Sequence, residues 1–226
     1  MNDIVYVVRD GENPELRYSL RSLANVEYGR VWIIGGSPPW TQPDGAYIPN
    51  PNTGSSYAAT RSHLRLACQT EEISDPFWLW HDDYFAMRPT TLTPRHRGSL
   101  QGMAERFART GTIWARGLRE VAAWLEKRYQ DPICWDIHAP LLVHKALMLE
   151  ALELAKTFKA DSVPVYTLYG NVYGFDGVET PDPKMMRRSD PFPTGDWLSS
   201  SDSTFRSVVE PVLRYTFPDP SPYERY

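Results

Sequence analysis

Residues 77–89 read FWLWHDDYFAMRP. Phe77, Trp78, Leu79 and Trp80 are bulky and apolar, and Asp75-Pro76 bounds them on the N-terminal side. A short apolar run between breakers predicts a buried strand rather than a helix. The polarity reverses at His81, Asp82 and Asp83. Tyr84, Phe85 and Met87 resume the apolar character before Arg88-Pro89 ends it. Adjacent carboxylates repel each other and cost stability when desolvated without a partner. A divalent cation relieves that strain, and Mg²⁺ or Mn²⁺ on a diphosphate needs only one or two protein carboxylates. Asp also serves turns well, so the doublet alone fits a capped turn equally.

Upstream, Ile4–Val8 is β-branched and aromatic and predicts a second buried strand, with Arg9-Asp10-Gly11 as a polar exit. Pro14 suits a first helical turn, and Leu16, Leu20 and Leu23 recur at helical spacing, so 14–24 is expected to be a helix. Residues 31–34 form another strand, closed by Gly35-Gly36. Strand, helix and strand within forty residues make a βαβ unit and imply a parallel pair. Residues 37–51 are rich in Pro and Gly, with a short strand expected at 46–48. A loop at 50–56, NPNTGSS, leads into a helix at 57–72 capped by Ser55 or Ser56. No GxGxxG or GxxxxGK[ST] pattern is present, so neither dinucleotide nor P-loop chemistry is indicated.

Downstream, helices are expected at 100–109, 117–129 and 141–158, an extended segment at 133–140 and a strand at 163–173. Arg95, His96, Arg97, Arg106, Arg109, Arg116 and Arg119 make the region between them basic, most simply as a solvated helical face. Residues 175–195 show no period and read as a lid loop. Residues 196–205 open the last helix, with Asp202 or Ser203 as cap, and the proline-containing stretch 217–226 is expected to be an extended arm after a domain spanning 1–216. With 226 residues the chain suits one domain. A net charge of −4 argues against a general nucleic-acid binder. No run of 18 apolar residues occurs, so no membrane span is expected. Cys68 and Cys134 lack metal-type spacing and read as buried free thiols in a reducing compartment. The N-terminus lacks the features of a signal peptide, so the expected location is cytoplasmic.

Five segments resemble the Stealth family of capsular-polysaccharide phosphotransferases and related nucleotide-sugar transferases. They are DIVYVVRDG at 3–11, ELRYSLRSL at 15–23 followed by VWIIGGSPPW at 31–40, SSYAATRSHLRLA at 55–67, FWLWHDDYFAMRP, and HAPLLVHKALMLE at 138–150. They occur in the family's order. The resemblance implies an α/β fold, a GT-A-like, Rossmann-related single domain with a mostly parallel central sheet. It also implies a nucleoside-diphosphate sugar as donor, a hydroxyl acceptor and a Mn²⁺ or Mg²⁺ cofactor. The chain is compact, similar in size to phage-encoded glycosyltransferases, for which the host cytoplasm is the expected compartment. His81 stands where the family has Asn, and Arg9 where it has Val or Asn. The arginine of the family's third region has no counterpart at 156–161, and WLSSSD at 197–202 meets the last motif only loosely.

Transfer from a nucleotide sugar needs a sink for the charge that develops on the leaving group, which a metal across the phosphates supplies. Asp83, with Asp82 beside it, is the expected metal carboxylate. His138 is expected either as a third metal ligand or as a general base; a satisfied histidine at a helix start is the plain alternative. Arg61 or Arg65 suits phosphate oxygens through a bidentate fork. Asp10 suits the base or ribose at the first strand's exit. Arg9 beside it, Asp82, and Lys145 in the HAPLLVHK segment complete the expected donor contacts. Asp202 is the last catalytic candidate, although helix capping explains it fully. Glycosyl transfer is preferred, because sugar-1-phosphate transfer needs a further positive group on the attacked phosphoryl. Lys184, Arg187 and Arg188 in the lid are the available substitutes. A third possibility is a binding module for a glycan or a protein partner that keeps the fold and lacks catalysis.

Overall fold

The computed structural model describes residues 1–42, 46–51 and 54–225. Parts of the loops expected at 37–51 and 50–56, and the last residue of the expected arm, lie outside the described residues. In chain order the first half comprises β1 (Ile4–Val8), α1 (Pro14–Ser22), β2 (Val31–Gly35), β3 (Tyr47–Pro49), α2 (Ser56–Gln69), β4 (Phe77–His81), β5 (Tyr84–Ala86) and β6 (Arg95–His96). The second half comprises α3 (Leu100–Arg106), α4 (Ile113–Leu125), β7 (Leu141–Val143), α5 (Lys145–Ala155), α6 (Val165–Val172), β8 (Val178–Glu179), β9 (Lys184–Met185) and β10 (Trp197–Ser200). The chain then enters α7 (Asp202–Thr204), a π-helical segment (Phe205–Val209) and α8 (Glu210–Thr216).

The central sheet has the order β3-β2-β1-β4-β7. All its pairings are parallel except β4 with β7. The chain is therefore α/β with a mostly parallel sheet, as the apolar runs and the βαβ spacing require. Strand side chains alternate between faces, and the cores divide accordingly. Ile4, Tyr6, Val8, Ile33, Trp78 and Trp80 pack with Leu16 and Leu20 of α1 on one face. Val5, Val7, Ile34, Phe77 and Leu79 pack with Leu64 and Ala67 of α2, and with α4, α5 and α6, on the other. So α1, which joins β1 to β2, and α2, which joins β3 to β4, cover opposite faces. The strand order accordingly reverses between β1 and β4.

Several expectations after residue 89 need correction. Residues 163–173 hold a helix, α6 (Val165–Val172), not a strand. Val165, Leu168 and Tyr169 are buried on one side. Its Thr167 and Asn171 bond the neighbouring 133–135 backbone. The helix expected at 141–158 begins at Lys145, because residues 141–143 add an antiparallel edge to β4. Residues 196–205 hold β10 before the last helix, and Ser201 is the cap, accepting from Thr204 N–H. The 175–195 segment contains β8 and β9 and joins a second sheet of order β5-β10-β9. The terminal stretch folds back: Glu224 is buried and receives two hydrogen bonds from Arg21, at 2.7 and 2.8 Å. Of the basic cluster, Arg95, His96 and Arg97 are tucked in rather than solvated. The side chains of Arg95 and Arg97 are 15% and 12% exposed.

Helix α4 passes close to the 158–164 segment, whose Lys159 and Ala160 amides donate to Glu120. A Cβ at Gly117 would lie 1.7 Å from the Ser162 carbonyl oxygen. Gly→Ala in a free helix stabilises by about 1 kcal/mol, but overpacking against fixed backbone costs roughly 1–3 kcal/mol. Gly117→Ala is therefore expected to lower stability in a urea melt; a raised midpoint would contradict this packing.

Candidate functional site

In an open α/β sheet, ligands bind beyond the C-terminal strand ends where the strand order reverses. Here that point lies between Arg9 at the end of β1 and His81-Asp82-Asp83 at the end of β4. The turn carrying the carboxylates is fixed from behind. Trp80 Nε1 donates to Ser19 Oγ and to the Tyr84 carbonyl, each at 3.1 Å, and Ser19 Oγ donates to the same carbonyl at 2.6 Å.

Each carboxylate has its own cationic or polar partners. Asn13 adopts φ 39° as the cap of α1. Its amide oxygen accepts from Leu16 N–H, and its Nδ2 donates to Asp82 Oδ2 at 2.6 Å. Arg9 Nε lies 3.9 Å from the same oxygen. Asp83 Oδ2 accepts from Lys184 Nζ and Ser199 Oγ, both at 2.9 Å. Burial, then the charge of Asp83, pushes the Asp82 carboxyl up. Burial also pushes Asp83 up, but Lys184, His138 and His81 outweigh it and hold that carboxyl below its ordinary value. The second oxygen of each carboxylate accepts no hydrogen bond among the described residues.

Arg9 bridges three acids. It lies 3.1 Å from Glu15, 3.9 Å from Asp82 and 3.3 Å from Asp202. Asp202 thus meets β1 across the site, besides standing in the first turn of α7. Arg9, Pro14, Glu15, Asp202, Ser203, Phe205 and Arg206 line a cleft of about 420 Å³. On the other side, His138 Nδ1 lies 3.0 and 3.1 Å from the two oxygens of Asp182, which Arg97 also contacts at 3.2 Å. Burial raises the Asp182 carboxyl, but the His138 hydrogen bond and Arg97 bring it below its ordinary value. His81 Nε2 meets the Tyr166 hydroxyl at 2.9 Å, and burial pushes this imidazole down to about 4.

The structure thus brings Arg9, Asp82, Asp83, His138 and Asp202 to one end of the sheet, with Asp10 adjoining Arg9. It does not bring the rest. Arg61 donates to the Asp161 carbonyl at 3.2 Å, and Arg65 pairs with Glu153 at 2.7 Å. Lys145 Nζ donates to the carbonyls of Thr70 (2.7 Å), Glu71 and Ile73, beside the N-terminal end of β4. It closes the end of α2, at the opposite edge of the sheet from the carboxylate pair. No group of three His, Cys, Asp or Glu among the described residues is arranged to hold a metal ion. His138 turns its Nδ1 to Asp182. The donor set that remains, two hard carboxylates each with one open oxygen, fits a cation whose other ligands are phosphate and water.

Asn13, Glu15, Asp182 and Ser199 were not among the expected site residues. Glu15 lies within the ELRYSLRSL match, and Asp182 stands two residues from Lys184, at strand spacing. Ser199 lies within the WLSSSD stretch, and Asn13, directly before Pro14, carries the signal of a helix cap rather than of a site. A scan against protein-family models and a search of curated proteins both find no match to this chain.

Burial, then the charges of Asp82 and Asp83, pushes the Glu15 carboxyl up from 4.5 to about 7. Its contribution to stability is full below the unfolded value and is lost as pH rises through the folded one, where a desolvated charge must form. Glu15→Gln is expected to gain melting temperature over the wild type between about pH 5 and about pH 8. A difference that stays constant across that window would refute this. Lys145→Met removes the donor from the part-buried carbonyls of Thr70 and Ile73, where the full cost of an unpaired buried group is about 1–3 kcal/mol. It is expected to lower the melting temperature in a calorimetric scan, and an unchanged melting temperature would contradict this bracing role.

Proposed function

We propose that this chain is a GT-A-like, Stealth-related transferase that moves a sugar from a nucleoside-diphosphate sugar to a hydroxyl acceptor, with Mn²⁺ or Mg²⁺ held by Asp82 and Asp83. The observation that carries the reading is the carboxylate pair at the point where the strand order reverses, each member with one oxygen open. The resemblance of FWLWHDDYFAMRP and ELRYSLRSL supports the same substrate class. When bound, the cation supplies a Lewis acid for the charge that develops on the leaving diphosphate. Arg9 and Arg206 line the adjoining cleft beside Glu15 and Asp202 and bring guanidinium groups to it for an anionic donor. His138 takes the proton of the acceptor hydroxyl. No helix among the described residues is long and apolar enough to cross a membrane.

Sugar-1-phosphate transfer is the second reading. Lys184 favours it, because its ammonium reaches the carboxylate pair and offers the positive group that an attacked phosphoryl requires. The two readings differ in product. Glycosyl transfer releases a nucleoside diphosphate, and phosphotransfer a nucleoside monophosphate. Turnover with a panel of nucleotide sugars and simple hydroxyl acceptors, resolved by ion-exchange chromatography, is expected to yield the diphosphate. Monophosphate as first product selects the second reading. No turnover, together with no Mn²⁺-dependent nucleotide binding, leaves a non-catalytic binding module.

Asp83→Asn keeps an acceptor for Ser199 and removes the charge that a cation needs. It is expected to abolish Mn²⁺-dependent binding of nucleoside diphosphate with an unchanged circular dichroism spectrum. Wild-type affinity in that variant would remove Asp83 from the metal site.

A further inference from the structure

The segment expected as a lid delivers Asp182-Pro183-Lys184 into the site. Residues two apart on an extended backbone project to the same side. Lys184 reaches Asp83, while Asp182 reaches His138. Asp182 Oδ1 accepts from the His138 backbone N–H at 3.2 Å, and its two oxygens lie 3.0 and 3.1 Å from Nδ1. Arg97 Nη1, 3.2 Å from Oδ2, holds the carboxylate from its far side and also donates to the Asp136 carbonyl. The Tyr84 ring stands at 85° to the imidazole, with centroids 6.3 Å apart. The ring is therefore fixed by its backbone, by its Nδ1 edge and by a neighbouring aromatic, and its Nε2 makes no hydrogen bond among the described residues.

We propose that Asp182 is the positioning residue for His138, keeping the proton on Nδ1 and leaving Nε2 as the atom that accepts the acceptor's proton. The inference rests on the transferase reading above. An ionised carboxylate only accepts hydrogen bonds, so the nitrogen facing it must donate. The same negative charge stabilises the imidazolium that forms when Nε2 is protonated. In the glycosyl reaction the hydroxyl proton passes to Nε2 as its oxygen bonds the anomeric carbon. The bond from that carbon to the diphosphate oxygen breaks, the diphosphate leaves with the electron pair, and His138 later returns the proton to water. Arg97 secures Asp182 and takes no proton itself.

Nitrogen-15 NMR of the free protein at about pH 8.5, where an ordinary imidazole is neutral, tests this without substrate. His138, assigned by loss of its signals in His138→Gln, is expected to carry its proton on Nδ1. A wild-type ring protonated on Nε2 would overturn the proposal, whatever any variant does. Asp182 faces three donors, and an amide has only one oxygen to offer them, so Asp182→Asn is expected to shift the tautomer toward Nε2–H. In turnover that variant is expected to lose roughly 10²–10⁴-fold in kcat, with the donor KM within about twofold and partial recovery in Asp182→Glu. An unchanged kcat, or a loss carried by KM alone, overturns the role. If the wild type turns over no nucleotide sugar, the transferase reading fails, while the tautomer measurement still decides whether Asp182 orients His138.

Discussion

Two carboxylates on consecutive residues at the end of β4 impose a condition on everything around them. Asp82 and Asp83 are only 17% and 14% exposed, so their mutual repulsion is poorly screened by water. The chain answers with opposite charge from two directions. Arg9 arrives from the neighbouring strand and Lys184 from the second sheet. Each is in turn surrounded by further acids, Glu15 and Asp202 for Arg9 and Asp182 for Lys184. The result is an alternating array of charge in which most members are held by more than one partner. Removing one member of such an array strands its neighbours, which is costly in a desolvated setting.

The rest of the architecture sets this array in place. The reversal of strand order between β1 and β4 puts the ends of two buried strands side by side. The β1 and β2 exits are also pressed together. A Cβ at Gly36 would fall 2.5 Å from the Arg9 carbonyl oxygen, and one at Gly35 would strike the Val8 carbonyl and the His63 ring. These two glycines therefore permit the close approach that brings the Arg9 backbone over the sheet end. Trp80 and Ser19 lock the carboxylate turn to α1 from beneath, so the acids project from a rigid support. A pre-organised polar site of this kind suits charge that develops during a transfer, because its dipoles do not have to reorient.

The small sheet β5-β10-β9 is the other support. It carries Ser199 and Lys184 to Asp83, and it directs Asp182 to His138. Its members come from residues 84–86, 184–185 and 197–200, so the site closes only when distant parts of the chain meet. The last helix begins on that sheet, which is why Asp202 faces Arg9 instead of solvent alone.

The sequence by itself determined the parallel part of the central sheet and missed its antiparallel edge, β7. Apolar runs at 4–8, 31–34 and 77–80, with a helix before the second and a Pro- and Gly-rich stretch and another helix before the third, admit little besides parallel buried strands. It also marked Asp82 and Asp83, since two adjacent acids after a buried strand form a local pattern, and His138 through the resemblance of the segment that carries it. It misjudged 141–158 and 163–173, where short apolar segments suit strand and helix alike until their partners are known. Only the tertiary structure decided the partners of the acids. Lys145 and Arg61 look like phosphate ligands in a linear text, yet the fold spends them on the carbonyls of Ile73 and Asp161. Asp182 and Lys184, in a stretch without local period, become partners of the base and the acid. A charge's function depends on distance and desolvation, and neither is encoded within a window of neighbouring residues.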